Sequence, residues 1–179
     1  MNTPHKTALL IGAPSTGKTS VLNALKSLGY KCFDEISRQV TLDARDEGIE
    51  HLFKEDPLLF SEKLLAGRIR QYEESVASPD QWVFIDRGLP DITAYMDMVN
   101  QAFPEKFETA NRSYIYDKVF WFPVWDSIHK QDNERYEDLN LANEIEKYLI
   151  KWYTMYNYTL IEVPKTSIQG RVDFIISNL

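Results

Sequence analysis

Gly12-Ala-Pro-Ser-Thr-Gly-Lys-Thr19 fits the pattern G-x-x-x-x-G-K-[ST], and its surroundings decide the fold. Before it, Lys6-Thr-Ala-Leu-Leu-Ile11 is a short apolar run that reads as a buried strand. After it, Ser20 to Leu28 carries apolar residues at helical spacing. Strand, glycine loop and helix together make a phosphate cradle. Gly12 and Gly17 permit the tight turn and a close backbone approach. The N–H groups of the loop and the helix N-terminus face an anion. The expected nucleotide contacts are therefore Gly12, Ala13, Pro14, Ser15, Thr16, Gly17, Lys18, Thr19 and Ser20. Lys18 brings a mobile charge to the β- and γ-phosphates, and the Thr19 hydroxyl is a ligand for Mg2+.

Working outward, five apolar runs alternate with helical patterns: 6–11, 31–34, 82–85, 118–122 and 159–163. Trp82-Val-Phe-Ile85 is apolar throughout, as a strand covered on both faces should be. This alternation implies an α/β fold of three layers, a five-stranded parallel sheet with helices on both faces. Asp56-Pro57 marks a helix start, with Asp56 as N-cap. Gly29 suits the end of the first helix. At 179 residues the chain is expected to form one domain, residues 1–179.

A net charge of −7 without a basic run argues against nucleic acid as partner. No stretch is long and apolar enough to insert in a membrane. The single cysteine, Cys32, excludes an internal disulfide framework, and no signal-peptide core precedes the first strand, so a cytoplasmic location is expected.

Ligands of parallel sheets bind beyond the carboxyl ends of the strands, which makes the residues following each strand the candidate site. Asp86 directly follows a buried strand and is placed to hold Mg2+, through water. Arg87 offers a planar fork to a phosphate or carboxylate of the acceptor; a surface salt bridge is the competing reading. Glu35 ends the second strand, where a carboxylate can accept the proton of an attacking hydroxyl; Asp34 competes for this role. Arg38, three residues on, shares a helical face with Glu35 and is either a surface ion-pair partner or a clamp on the acceptor. Residues 124–137 are placed like a lid that excludes water, with Arg135 able to close on the transferring phosphoryl group; a solvated polar loop is the competing reading. Lys165, in the loop before the last helix, either edges the nucleotide base or belongs to a plain turn capped by Ser167. His129 lacks a paired ligand and reads as a loop histidine. Asp91 reads as an N-terminal helix acid, with a second contact to the acceptor as the competing reading. Tyr148, Trp152, Tyr153 and Tyr156 form a core-facing stripe.

These elements, together with Asp34-Glu-Ile-Ser-Arg38, Asp86-Arg-Gly-Leu-Pro-Asp91, Asp132-Asn-Glu-Arg135, Glu162-Val-Pro164 and Arg171-Val-Asp-Phe-Ile175, resemble the AAA-type ATPase family that groups with the nicotinamide-riboside kinase domain of the bifunctional NAD-biosynthesis regulator. The resemblance runs along nearly the whole chain. It implies a small P-loop fold of the nucleoside and nucleotide kinase type, using ATP or GTP with Mg2+. It matches Glu35 to the acid ending strand two and Asp86-Arg87 to the Asp-Arg pair after strand three. No Asn-Lys-x-Asp guanine-reading motif is present, which favours ATP. The expected activity is an ATP-dependent phosphotransferase acting on a small hydroxyl-bearing metabolite such as a nucleoside or riboside. Lys18, Glu35, Arg38, Asp86, Arg87 and Arg135 are the expected catalytic residues. The competing readings are a slow NTPase that binds a protein or lipid partner when loaded, and a module that holds nucleotide without chemistry.

Overall fold

A computed structural model describes residues 6–126 and 139–179. The elements are β1 (Lys6–Ile11), α1 (Lys18–Ser27), β2 (Lys31–Phe33), α2 (Ser37–Asp46), α3 (Leu52–Glu55), α4 (Pro57–Val76), β3 (Trp82–Asp86), α5 (Leu89–Met98), α6 (Lys106–Ser113), β4 (Lys118–Trp121), α7 (Leu139–Met155), β5 (Leu160–Glu162) and α8 (Ile168–Ser177).

The five strands form one parallel sheet in the order β2-β3-β1-β4-β5. Alternate residues of each strand point to opposite faces, and the core divides accordingly. Leu9, Ile11, Val83, Ile85 and Val119 pack with Ala94 of α5 and Ala142, Ile145, Leu149 and Trp152 of α7. Ala8, Leu10, Phe84 and Phe120 pack with Val21, Leu22 and Leu25 of α1 and Val172 and Ile175 of α8. The expected three layers are present. The aromatic stripe of α7 faces the core: Trp152 and Tyr153 are buried, and Tyr148 and Tyr156 pack against the same cluster.

A third apolar cluster lies among helices alone, with Val40 and Ala44 of α2, Leu52 of α3, Leu64 and Leu65 of α4, Ile92 and Met96 of α5, and Phe107 of α6. It forms one wall above the strand ends.

The helix boundaries follow local chemistry. Asp56 accepts from the Leu59 N–H at 2.9 Å, with Pro57 in the first turn of α4. The helix α1 closes with Gly29 at φ +92, its N–H donating to Lys26 O at 2.9 Å, and Tyr30 N–H donating to Leu25 O at 3.2 Å. This paired return is the Schellman arrangement that glycine makes possible.

Candidate active site

Parallel pairing sets the site. The register Leu10↔Asp86 places the carboxyl end of β3 beside the point where β1 enters the glycine loop. Gly12 (φ +147) has no room for a side chain, because a Cβ there would lie 2.5 Å from Phe122 O. Gly17 (φ +87) sits against the Arg171 guanidinium in the same way. Lys18 is buried, and its Nζ donates to Gly12 O at 2.9 Å, Ala13 O at 2.7 Å and Thr16 Oγ1 at 3.2 Å. Burial, and then the charge of Arg87, lower the Lys18 ammonium to about 8. Pro14, Ser15, Gly17, Lys18, Thr19 and Ser20 face a cavity of about 1050 Å³. Gly12, Ala13 and Thr16 are not among its lining residues: Gly12 and Ala13 offer their carbonyls to Lys18, and Thr16 Oγ1 donates to Ala13 O at 2.9 Å.

Asp86 is 4% exposed and lines the cavity, and its Oδ1 has no hydrogen-bond partner. Burial raises its carboxyl pKa against the opposing pull of Lys18 and Arg87. A buried carboxylate oxygen left without a donor is costly unless a cation meets it. Asp86 together with the exposed hydroxyl-bearing Thr19 on the same cavity fits Mg2+, which keeps several waters and takes phosphate oxygens as its other ligands. Among the described residues there is no group of three or more His, Cys, Asp or Glu around a common point, and Mg2+ of this kind needs none.

Arg87 holds a left-handed backbone, φ 70, with its N–H donating to Leu10 O at 3.1 Å. Such a conformation costs a non-glycine residue roughly 1–2 kcal/mol, so the surroundings must enforce it. They do so through the side chain. Its Nε meets Glu35 Oε2, its Nη1 reaches Asp91 Oδ1 at 3.4 Å and the Tyr95 hydroxyl at 3.2 Å, and its guanidinium lies over the Tyr95 ring.

Glu35 precedes α2, which starts at Ser37, and lies between two arginines. Arg68 Nη2 approaches Glu35 Oε1 at 3.2 Å, and the Ser37 N–H donates to it at 3.0 Å. Burial pushes this carboxyl up, but Arg68, Arg87 and the Ser37 N–H together hold it below the ordinary glutamate range. Arg68 is the residue the sequence reading missed. It is 4% exposed on α4 and also donates from Nη1 to Gly88 O at 2.6 Å. A signal was there: Arg68 falls on the apolar face of α4, four residues after Leu64. A buried arginine on a core face demands a partner.

The other candidates are spread. Arg38 is exposed on α2 and is not among the cavity-lining residues. Asp34 pairs with Lys26 at 2.6 Å, away from the cavity. Lys165 is exposed and does not line the cavity, whereas its neighbours Thr166, Ser167 and Ile168 do. Arg171 joins them from α8, donating to Thr16 O at 3.2 Å and lying 5.8 Å from the Trp125 ring centroid. Asp91 is the N-terminal acid of α5, as expected, and accepts from Gly88 N–H at 3.0 Å. It is also fully buried and accepts from the Tyr153 hydroxyl at 2.5 Å. Arg135, His129 and all but residues 124–126 of the candidate lid lie outside the described residues.

A glycine loop on β1, an acid ending the adjacent β3 and a parallel sheet between helical layers define the P-loop fold of the nucleoside and nucleotide kinases. The sequence matches the AAA domain family over residues 7–171, and the chain belongs to that family. No curated protein matches it. Solved structures that share the fold include a deoxyadenosine kinase from M. mycoides with dCMP and dCDP bound, at TM-score 0.69 and 15% identity, covering 96% of this chain and 97% of that one. The NadR protein in complex with NR matches at TM-score 0.73 and 15% identity over 97% of this chain, which spans 50% of that protein. Thymidylate kinase from Candida albicans matches at TM-score 0.70 and 12% identity, covering 98% and 91% of the two chains.

Proposed function

We propose that this protein is a Mg-ATP-dependent kinase that transfers a phosphoryl group to a hydroxyl of a small metabolite such as a nucleoside or riboside. The observation that carries the reading is Glu35, a carboxylate kept ionised by Arg68 and Arg87 on the cavity that also receives Lys18 and Asp86. The glycine loop and Lys18 would take the β- and γ-phosphates, and Thr166 to Ile168 with Arg171 and Trp125 would border the nucleotide base. ATP, rather than GTP, is the proposed donor. Asp86 and Thr19 would hold Mg2+, whose charge supports the phosphates when bound.

The acceptor hydroxyl donates a hydrogen bond to Glu35. Its oxygen forms the new bond to the γ-phosphorus, the bond to the β–γ bridging oxygen breaks, and ADP leaves with that electron pair. The hydroxyl proton passes to Glu35. A low-pKa carboxylate is a weak base, but phosphoryl transfer demands little proton abstraction before the phosphoryl group has moved. An ionised, rigidly held acceptor of the hydroxyl hydrogen bond is what the step requires. Arg87 and Arg135 are proposed to steady the charge around it; Arg38, exposed on α2 and off the cavity, takes no part in this step.

The test is product analysis by mass spectrometry with Mg-ATP and a pool of nucleosides and vitamin-like ribosides. A phosphorylated acceptor that disappears in Lys18→Ala is the expected result. Glu35→Gln should retain nucleotide affinity and lose on the order of 10²–10⁴ in turnover. Phosphate release indifferent to every acceptor would overturn the reading.

A further inference from the structure

Four cationic side chains line the cavity among the described residues: Lys18, Arg68, Arg87 and Arg171. Lys18 and Arg171 are held on the glycine loop, donating to Gly12 O and Thr16 O. Among the described residues only Arg68 and Arg87 line the cavity beside Glu35, and both already pair with it, although Arg68 Nε has no hydrogen-bond partner. Arg68 is 4% exposed, with one Nη on Gly88 O and the other on Glu35. Arg87 bridges Glu35, Asp91 and the Tyr95 hydroxyl. Two arginines and two carboxylates, Glu35 and Asp91, thus form a cluster of zero net charge before any acceptor arrives.

Beside this cluster the wall is largely apolar, with Ser37, Ser61, Tyr95 and Gln101 as its uncharged polar members. Phe53 of α3, Phe60 and Leu64 of α4, and Ile92, Met96 and Val99 in and after α5 line it. An acceptor carrying a phosphate would have to draw an arginine away from Glu35, and would bring a dianion close to that carboxylate. A ring without charge would instead bury apolar area against phenylalanine and methionine at no such cost.

Resting on the kinase reading above, we infer that the acceptor is an uncharged, unphosphorylated molecule with an apolar or aromatic ring and a free hydroxyl, and that nucleoside monophosphates are excluded by the closed Arg68–Glu35–Arg87–Asp91 cluster. The fold leaves this open, since the similar structures include both a nucleoside kinase and thymidylate kinase. The residues of the cluster decide it.

The experiment compares matched pairs on the full chain with Mg-ATP: deoxyadenosine and dAMP, deoxycytidine and dCMP, thymidine and dTMP, with vitamin-like ribosides beside their monophosphates. Transfer is read by mass spectrometry. Binding is read by calorimetry in the presence of a non-hydrolysable ATP analogue. The expected result is transfer to at least one unphosphorylated member, with its monophosphate bound at least ~30-fold more weakly, the scale of a lost charge-assisted hydrogen bond. Glu35→Gln removes one negative charge from the cluster and leaves an arginine short of a partner. That variant should bind the monophosphates roughly tenfold or more tighter than the wild type does, while the unphosphorylated members, whose hydroxyl loses its charged acceptor, gain no affinity. Transfer to a monophosphate with equal or better kcat/KM would overturn this inference and leave the kinase reading standing. No gain of monophosphate affinity in Glu35→Gln would overturn it as well. Hydrolysis of ATP with transfer to neither class would remove both readings together.

Discussion

Lys18 carries the most direct consequence at the scale of single residues. Its ammonium is desolvated against backbone carbonyls, with Arg87 as a like charge, and is lowered from 10.5 to about 8. Between about 8 and 10.5 the unfolded chain holds this proton and the folded chain does not. The group therefore weakens the free protein below pH 8, and stability rises with pH through that window. Nucleotide binding carries the opposite sign, because phosphates favour the charged lysine. Mg-ATP affinity should fall about tenfold per pH unit above pH 8, with proton uptake on binding at pH 8.5, measured by calorimetry in two buffers of different ionisation enthalpy. Affinity flat to pH 10 would contradict the environment described for Lys18. Arg68 supports a second prediction. Removing one partner of a buried pair strands the other, so Arg68→Met should destabilise the fold by about 2–3 kcal/mol in urea titrations, somewhat less than for a fully enclosed pair because Glu35 keeps 23% of its side chain exposed. It should also raise the acid limb of kcat/KM, since Arg68 is the first of the two charges that hold Glu35 ionised. A changed stability with an unmoved pH profile would reduce Arg68 to a packing role.

Among the elements, the junction of α5 with α7 links the site to the helix that follows residues 127–138. Asp91 at the start of α5 accepts from the Tyr153 hydroxyl of α7 and faces Arg87. Tyr153→Phe removes a buried hydrogen bond to a charged group and keeps the ring, so a loss of about 2 kcal/mol in urea titrations is expected. An unchanged midpoint would mean that Asp91 is satisfied without α7. This junction also shows where the sequence was legible. The strands, the glycine loop and the positions of Asp86 and Arg87 follow from local pattern, since a buried strand next to a P-loop strand carries its chemistry at its end. Asp91 as a helix acid was legible because Gly88-Leu-Pro-Asp91 is a local cap. Its bond to Tyr153 was not, because the two are 62 residues apart and only the packing of α7 on the sheet joins them. The same reason hid Arg68, which reaches Glu35 across 33 residues. The short helix α3 has four residues, too few for a period to be visible. Glu35 and Arg38 look like a helical pair in sequence, but α2 begins only at Ser37, so the helical spacing does not apply to Glu35.

For the molecule as a whole, the cavity has walls from separate layers: the loop after β1, the ends of β2 and β3, the helical cluster of α3 to α5, and the turn into α8. A ligand that fills it touches every one of these parts, so binding should be felt as global stability rather than as local ordering. Residues 1–179 are proposed to be one domain, which requires a single cooperative unfolding transition. Mg-ATP at 100 times its Kd should add about 2.7 kcal/mol, which for a domain of this length is a rise in Tm of roughly 5–10 °C. Omitting Mg2+, or adding EDTA, should remove most of that rise, because the Asp86 Oδ1 that has no protein donor would then face the phosphates without a cation between them. Differential scanning calorimetry of the free protein, the protein with ATP and EDTA, and the protein with Mg-ATP separates these contributions. Two resolved transitions would break the single-domain proposal. An equal rise with and without Mg2+ would remove Asp86 from the metal site, and would leave Lys18 and the loop N–H groups as the whole of the phosphate-binding machinery.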